Sequence, residues 1–122
     1  MILDDLKAFL IANSLATSDV IKFDFDSSTT NAVVLWRYGS VPTDLGSRPT
    51  IQIQVKNTIM ATSRTQIQAI YDALYPENQF KKGILINNKF MHIKPNQEPF
   101  FNEKDDNGRF CYIFNITVTQ NR

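Results

Sequence analysis

From Phe110 to Thr119 the chain alternates without a break. Phe110, Tyr112, Phe114, Ile116 and Val118 fall on one side, and Cys111, Ile113, Asn115, Thr117 and Thr119 on the other. A period of two residues is the signature of a β-strand, whose successive side chains point to opposite faces. No proline interrupts the run. A strand of this length is either central in a sheet or extends beyond its neighbours, and its aromatic and β-branched face demands a cover. A second run, Thr50 to Asn57, behaves the same way: Ile51, Ile53 and Val55 share one face, Gln52, Gln54 and Lys56 the other. One dry face and one wet face suit an antiparallel or mixed sheet.

The cover comes from two amphipathic segments. Ile2, Leu3, Leu6, Phe9 and Leu10 recur at spacings of three and four, predicting a helix over 2–12, with Asp4 and Asp5 in its first turns, where the helix dipole favours negative charge. Asn13-Ser14 marks its end. Ile67, Ile70, Tyr71 and Leu74 predict a second helix over 62–75, capped by Thr62 or Ser63 and stopped by Pro76. The β-branched and aromatic run Ala32 to Tyr38 predicts another strand. Ile84 to Ile86 and Phe90 to Lys94, flanking Asn87-Asn88, predict a hairpin, and Lys81-Lys82-Gly83 a turn. Residues 14–30 read as a short strand or an extended lead-in, followed by a turn at Ser27 to Asn31. The expected fold is α+β: a mainly antiparallel or mixed sheet with two helices packed on one face, in the order α-β-β-α-β-β-β. At 122 residues, with no internal repeat or linker, the chain is expected to be a single domain over 1–122.

Thirteen basic and twelve acidic side chains nearly cancel, leaving no broad basic field for nucleic acid. Cys111 stands alone, which excludes an internal disulfide and fits a reducing compartment. The start, Met1 to Leu6, carries two acids where a secretory signal needs positive charge. No apolar run approaches a membrane span.

Catalysis finds little to stand on. His92 is the sole histidine and sits inside an alternating strand, without an orienting group or nucleophile near it in sequence. One His and one Cys do not make a structural zinc site. Asp105-Asp106-Asn107-Gly108 begins like a calcium loop but lacks the later ligands and the closing glutamate. Asp24 and Asp26 lie two apart, a spacing common among solvated acids. No glycine-rich phosphate loop exists. The reading is therefore no catalytic residue, no cofactor and no metal.

What remains is contact chemistry. Gly39 to Pro49, with two Gly and two Pro, reads as a loop of about ten residues. Pro95 to Asn107 reads as a second, with Phe100-Phe101 inside it and a turn at Asp106-Asn107-Gly108. Tyr38, Val41, Leu45 and Arg48 on the first, and Phe100, Phe101, Asp106 and Arg109 on the second, are the candidate interface residues. Apolar side chains in such loops either fold back as plugs or meet a partner. Arg48 and Arg109 suit anchoring, since a planar guanidinium pairs well across interfaces. The alternative for Arg109 is a pair within its own subunit.

From residue 33 to 122 the chain resembles the minor capsid, tail terminator or tail completion proteins of long-tailed bacteriophages. The resemblance rests on Arg48-Pro49-Thr50-Ile51-Gln52-Ile53, on the helix with Ala69-Ile70-Tyr71-Asp72-Ala73-Leu74, on Gln97-Glu98-Pro99-Phe100, and on Asp105-Asp106-Asn107-Gly108-Arg109-Phe110 leading into the last strand. It implies a structural assembly protein that caps the tail tube, ends its polymerisation and joins it to the head connector. It further implies a hexameric ring in the assembled tail, with some relatives monomeric when free. The implied partners are the major tail tube protein and a head completion or connector protein, without nucleic-acid recognition or a membrane. The implied location is the virion, after synthesis in the host cytoplasm. A different reading of the same residues is a small non-catalytic binding module that recruits a partner through a sheet edge or loops.

Overall fold

The computed structural model describes residues 2–24, 31–43, 46–75, 84–86 and 89–120. The turns expected at Ser27 to Thr30, Lys81 to Gly83 and Asn87-Asn88, the stop at Pro76, and Asp26 and Leu45 lie outside the described residues.

Among the described residues two α-helices and seven strands follow in the order α1 (Ile2–Ala12), β1 (Ile21–Phe23), β2 (Ala32–Thr43), β3 (Gly46–Asn57), α2 (Met60–Leu74), β4 (Ile84–Ile86), β5 (Lys89–Pro95), β6 (Phe100–Lys104) and β7 (Phe110–Gln120). The strands form one mixed sheet in the order β1-β2-β3-β7-β5-β4, with β6 also on β7. Only β1 and β2 pair in parallel; the other pairings are antiparallel. The long alternating strand β7 is central, as its pattern allows. One edge of it meets β3 from Thr50↔Thr117 to Asn57↔Phe110. Its other edge is shared: β5 takes the C-terminal half and β6 the N-terminal half.

Both helices lie on one face of the sheet, and the core fills the space between. Leu6 and Leu10 of α1, Ile67, Ile70 and Leu74 of α2, Leu35, Ile51, Ile53, Val55, Phe114, Ile116 and Val118 are all buried there. Fully burying side chains of this size contributes about 1.5–3 kcal/mol each. α1 crosses the strands, touching β4 and β2, while α2 lies over β3 and β7. Near its start, buried Asp5 pairs with Lys89 Nζ at 3.0 Å, tying α1 to β5. At its end Ser14 takes φ 56°, the Ser14 N–H donates to Ile11 O and the Leu15 N–H to Leu10 O. That pair of bonds is a Schellman stop, with Leu15 folding back onto the core.

Three details depart from the sequence expectations. α2 starts at Met60, and neither Thr62 nor Ser63 caps it. Asn57 Oδ1 accepts the Ile59 N–H at 2.9 Å just before the helix, and the buried Ser63 hydroxyl lies 3.0 Å from Val55 O and 2.8 Å from Phe110 O. That hydroxyl holds the helix against β3 and β7. The expected loop at Gly39 to Pro49 is a continuation of β2 and β3 into one long hairpin. The expected loop from Pro95 contains a strand, β6.

Candidate assembly surface

The β2–β3 hairpin runs from Ala32↔Lys56 to Thr43↔Gly46. The β3–β7 register ends at Thr50↔Thr117, while the β2–β3 register continues from Ser40↔Pro49 to Thr43↔Gly46. The register shifts between Arg37 and Gly39, the mark of a bulge, which strengthens the local twist. A side chain at Gly39 would bring its Cβ within 3.2 Å of Thr50 Oγ1, so the close approach of the two strands here favours glycine.

On the other edge of β2, pairing is brief. β1 matches Ile21 to Phe23 with Val33 to Leu35, and the Asp24 N–H then donates to Leu35 O at 3.0 Å. Asp24 has φ 69°, a turn of the backbone that ends the ladder. Among the described residues the β1–β2 register ends at Phe23↔Leu35. Trp36 and Tyr38 lie beside this stretch, 40% and 43% exposed, with ring centroids 5.5 Å apart.

β6 is the counterpart across the sheet. All five of its residues are exposed, and among the described residues it pairs with β7 alone. Phe100 opposes Ile113 on the face without helices; Phe101 opposes Tyr112 on the helix face. The Phe101 ring meets Tyr112 edge-on at 5.5 Å and Phe110 at 6.4 Å, and Lys104 Nζ lies 5.2 Å from the Phe110 ring. Phe101 thus covers its own sheet on one side and remains 43% exposed on the other; Phe100 is 41% exposed.

The β6–β7 turn is built around one carboxylate. Asp105 Oδ1 accepts the N–H groups of Asn107 (3.0 Å) and Arg109 (2.8 Å), and Arg109 Nε donates to Asp105 Oδ2 at 2.8 Å. Gly108 donates to Asp105 O and takes φ 76°, the left-handed step that closes a type I turn with a bulge. Burial pushes the Asp105 carboxyl pKa up. The Arg109 and Asn107 N–H groups and the Arg109 charge outweigh that and hold it below the usual range.

These positions sort the expected interface residues. Tyr38, Phe100 and Phe101 are exposed aromatics on strands. Arg48 is exposed on β3, its backbone opposite that of Val41. Asp106 is exposed at the turn. Arg109 is 2% exposed and pairs with Asp105 in its own chain, the alternative that the sequence left open, because the five-residue turn brings the two within reach. Trp36 belongs with the group. Its spacing of two from Tyr38 in the strand run Ala32 to Tyr38 is the signal that places both on one face.

No acid–base chemistry gathers here. Burial raises the pKa of the Cys111 thiol, keeping it protonated and inert, with Sγ 3.7 Å from Arg109 O. His92 is half-buried in register with Thr119. Among the described residues no group of His, Cys, Asp and Glu is placed to hold a metal. An open groove of ≈ 590 Å³ between the end of α1 and α2 is lined by Ile11, Leu15, Val20, Gln66 and neighbours, none of which titrates.

A buried core, a long β2–β3 hairpin and exposed aromatics on β2 and β6 give a surface suited to contact with other proteins. The family model described as "Bacteriophage tail terminator protein" matches residues 9–122, and the chain belongs to that family. It is a non-catalytic structural protein that caps the tail tube at the head–tail junction of the virion, and membership implies association with tail-tube and head-completion proteins. No curated protein matches the chain.

Proposed function

We propose that this single-domain subunit acts as a ring of six copies seated on the end of the tail tube, monomeric until it meets the tail. One side of the ring blocks addition of further tube subunits and the other receives the head connector. Synthesis takes place in the cytoplasm of the bacterial host. Tyr38, Val41, Leu45, Arg48, Phe100, Phe101 and Asp106 contribute the contacts, joined by Trp36, while Arg109 acts indirectly by fixing the β6–β7 turn. The observation that carries this reading is the presence of exposed aromatics at two separate places on one subunit, Trp36 and Tyr38 on β2 and Phe100 and Phe101 on β6. A closed ring needs two different patches of this kind, each meeting the other on the next copy.

The mass of the purified protein, measured alone and after mixing with tail-tube protein, tests it. A single-copy mass alone and a six-copy species on the tube are expected. Tails of normal length that join heads without this subunit would overturn the reading.

A further inference from the structure

We infer that the sheet face without helices docks an acidic protein partner, with basic side chains set around a centre of amides and aromatics. The inference rests on the contact role proposed above for Trp36, Arg48 and Phe100, but not on the number of copies.

Alternation and register decide which side chains share this face. Val33 and Leu35 of β2, Ile51, Ile53 and Val55 of β3, and Phe114, Ile116 and Val118 of β7 belong to the core under the helices. Their neighbours in sequence point the other way. The register shift of the β2–β3 pair puts its extra residue in β2, so β3 keeps its alternation. Arg48, Gln52, Gln54 and Lys56 therefore share the face without helices. Cross-strand partners extend it: Lys22 is in register with Val34, Lys94 with Thr117 and Glu103 with Cys111.

The charges on this face are lopsided. Register places Lys22, Arg48, Lys56 and Lys94 there, and among the described strand residues one acid, Glu103. Asp19 lies near enough to Lys22 to feel its charge. Among the described residues no salt bridge joins Arg48, Lys56 or Lys94 to its own chain. The chain as a whole has thirteen bases and twelve acids, so the surplus is a local field and not the protein's average.

Trp36 and Phe100 add apolar anchors, both about two-fifths exposed. Between them lie the half-buried Gln52, Gln54 and Asn115, with Gln54 Nε2 donating to Gln52 Oε1 at 2.6 Å. Aromatic anchors inside a polar, charged rim are the anatomy of a protein interface. Nucleic acid is the competing occupant, since it too uses bases and aromatics. Stacking of successive bases needs rings close together. Trp36 and Phe100 stand three strands apart, about 14 Å, with amides between. Glu103, on the same strand as Phe100, repels phosphate. Carboxylates on a protein fit better. Another copy of this chain fits less well. Among the described residues its exposed acids Asp4, Asp19, Asp24, Glu98 and Asp106 are spread over α1, the stretch before β2 and the two ends of β6.

Charge reversal tests the face. Lys56→Glu is combined with Lys94→Glu, and Lys56→Gln with Lys94→Gln as a milder pair. Arg64→Glu, on the exposed side of α2, is the control. Circular dichroism and thermal unfolding check each fold; if the Glu pair misfolds, the Gln pair decides. Binding to purified tail-tube protein and to head-completion protein is measured at low and high salt. The Glu pair is expected to weaken binding to one of them by at least about tenfold, since like charges then meet across the interface. The Gln pair should weaken it less, and both should flatten its salt dependence. Arg64→Glu should stay within about twofold of the parent. Folded Lys56 and Lys94 variants that bind like the parent overturn the face and leave the contact reading standing. An equal loss from Arg64→Glu overturns it too, as does a loss confined to self-association. DNA binding that the Glu pair abolishes while protein binding holds assigns the face to nucleic acid and overturns it. A parent that binds neither protein overturns this inference together with the contact reading.

Discussion

The β6–β7 turn and the β2–β3 hairpin both join antiparallel neighbours, yet they are held by opposite means. In the turn, one carboxylate gathers two backbone N–H groups and a buried guanidinium within five residues. In the hairpin, the β2–β3 register continues from Ser40↔Pro49 to Thr43↔Gly46, past the last β3–β7 pair at Thr50↔Thr117, with a bulge between Arg37 and Gly39. The first arrangement fixes where β6 lies. The second sets exposed Trp36 and Tyr38 beside each other on β2. A subunit that must be rigid alone yet adhesive in company needs both, and the division predicts which substitutions harm the fold and which harm only assembly.

The largest effect on stability is expected from Arg109→Ala. Arg109 is 2% exposed and Asp105 is mostly covered, so the change strands a carboxylate without its counter-charge. Breaking such a pair costs about 3 kcal/mol, the low end for buried pairs because part of Asp105 still reaches water. Denaturant unfolding checks it; a loss under about 1 kcal/mol would mean that the pair adds little beyond a surface bridge. The same pair sets an acid limb. The Asp105 pKa is lowered in the folded state. Its contribution is present above the unfolded value of about 4 and is lost as pH falls through the folded value. Arg109→Ala should flatten that part of the stability–pH curve.

Much of the fold was legible because the core strands carry their own signal. β7 alternates over nearly its whole length and β3 from Thr50 to Asn57, and the α2 stripe at Ile67, Ile70 and Leu74 is buried as its spacing requires. β6 was not legible: Phe100-Phe101-Asn102-Glu103-Lys104 is exposed throughout, so no inside–outside alternation was imposed on it, and its register shifts at Asn102. The far half of the β2–β3 hairpin was hidden by Pro42 and Pro49. Both sit in the stretch where, among the described residues, β2 and β3 are in register with each other only. β1 is three residues long and is defined by its partner β2, ten or so positions away in the chain. The candidate surface was half legible. Exposed aromatics could be picked out by type, but a guanidinium looks the same in sequence whether it faces a partner or its own turn.

A middle effect is expected at Gly108. Its φ of 76° lies in the left-handed region, and open space surrounds the position where a Cβ would sit. Gly108→Ala therefore probes backbone conformation alone, at a cost of about 1 kcal/mol. Thermal unfolding checks it. A neutral result would show that the carboxylate clasp, rather than the glycine, dictates the turn.

The smallest effect on the isolated subunit is expected from Tyr38→Ser, and it sharpens the contrast most. Tyr38 is 43% exposed and sits at the bulge between Arg37 and Gly39, where β3 offers it no register partner. Its visible packing is the tilted contact with Trp36, also exposed, worth about 0.5–1 kcal/mol at most. The unfolding midpoint should therefore hardly move. Binding to tail-tube protein, or assembly upon it, should weaken by far more, because an aromatic removed from water at an interface commonly carries over 1 kcal/mol. Measuring both on the same preparation separates the roles. Equal losses in folding and assembly would place Tyr38 with Arg109 among the residues that build the subunit, and the hairpin would lose its claim to be adhesive.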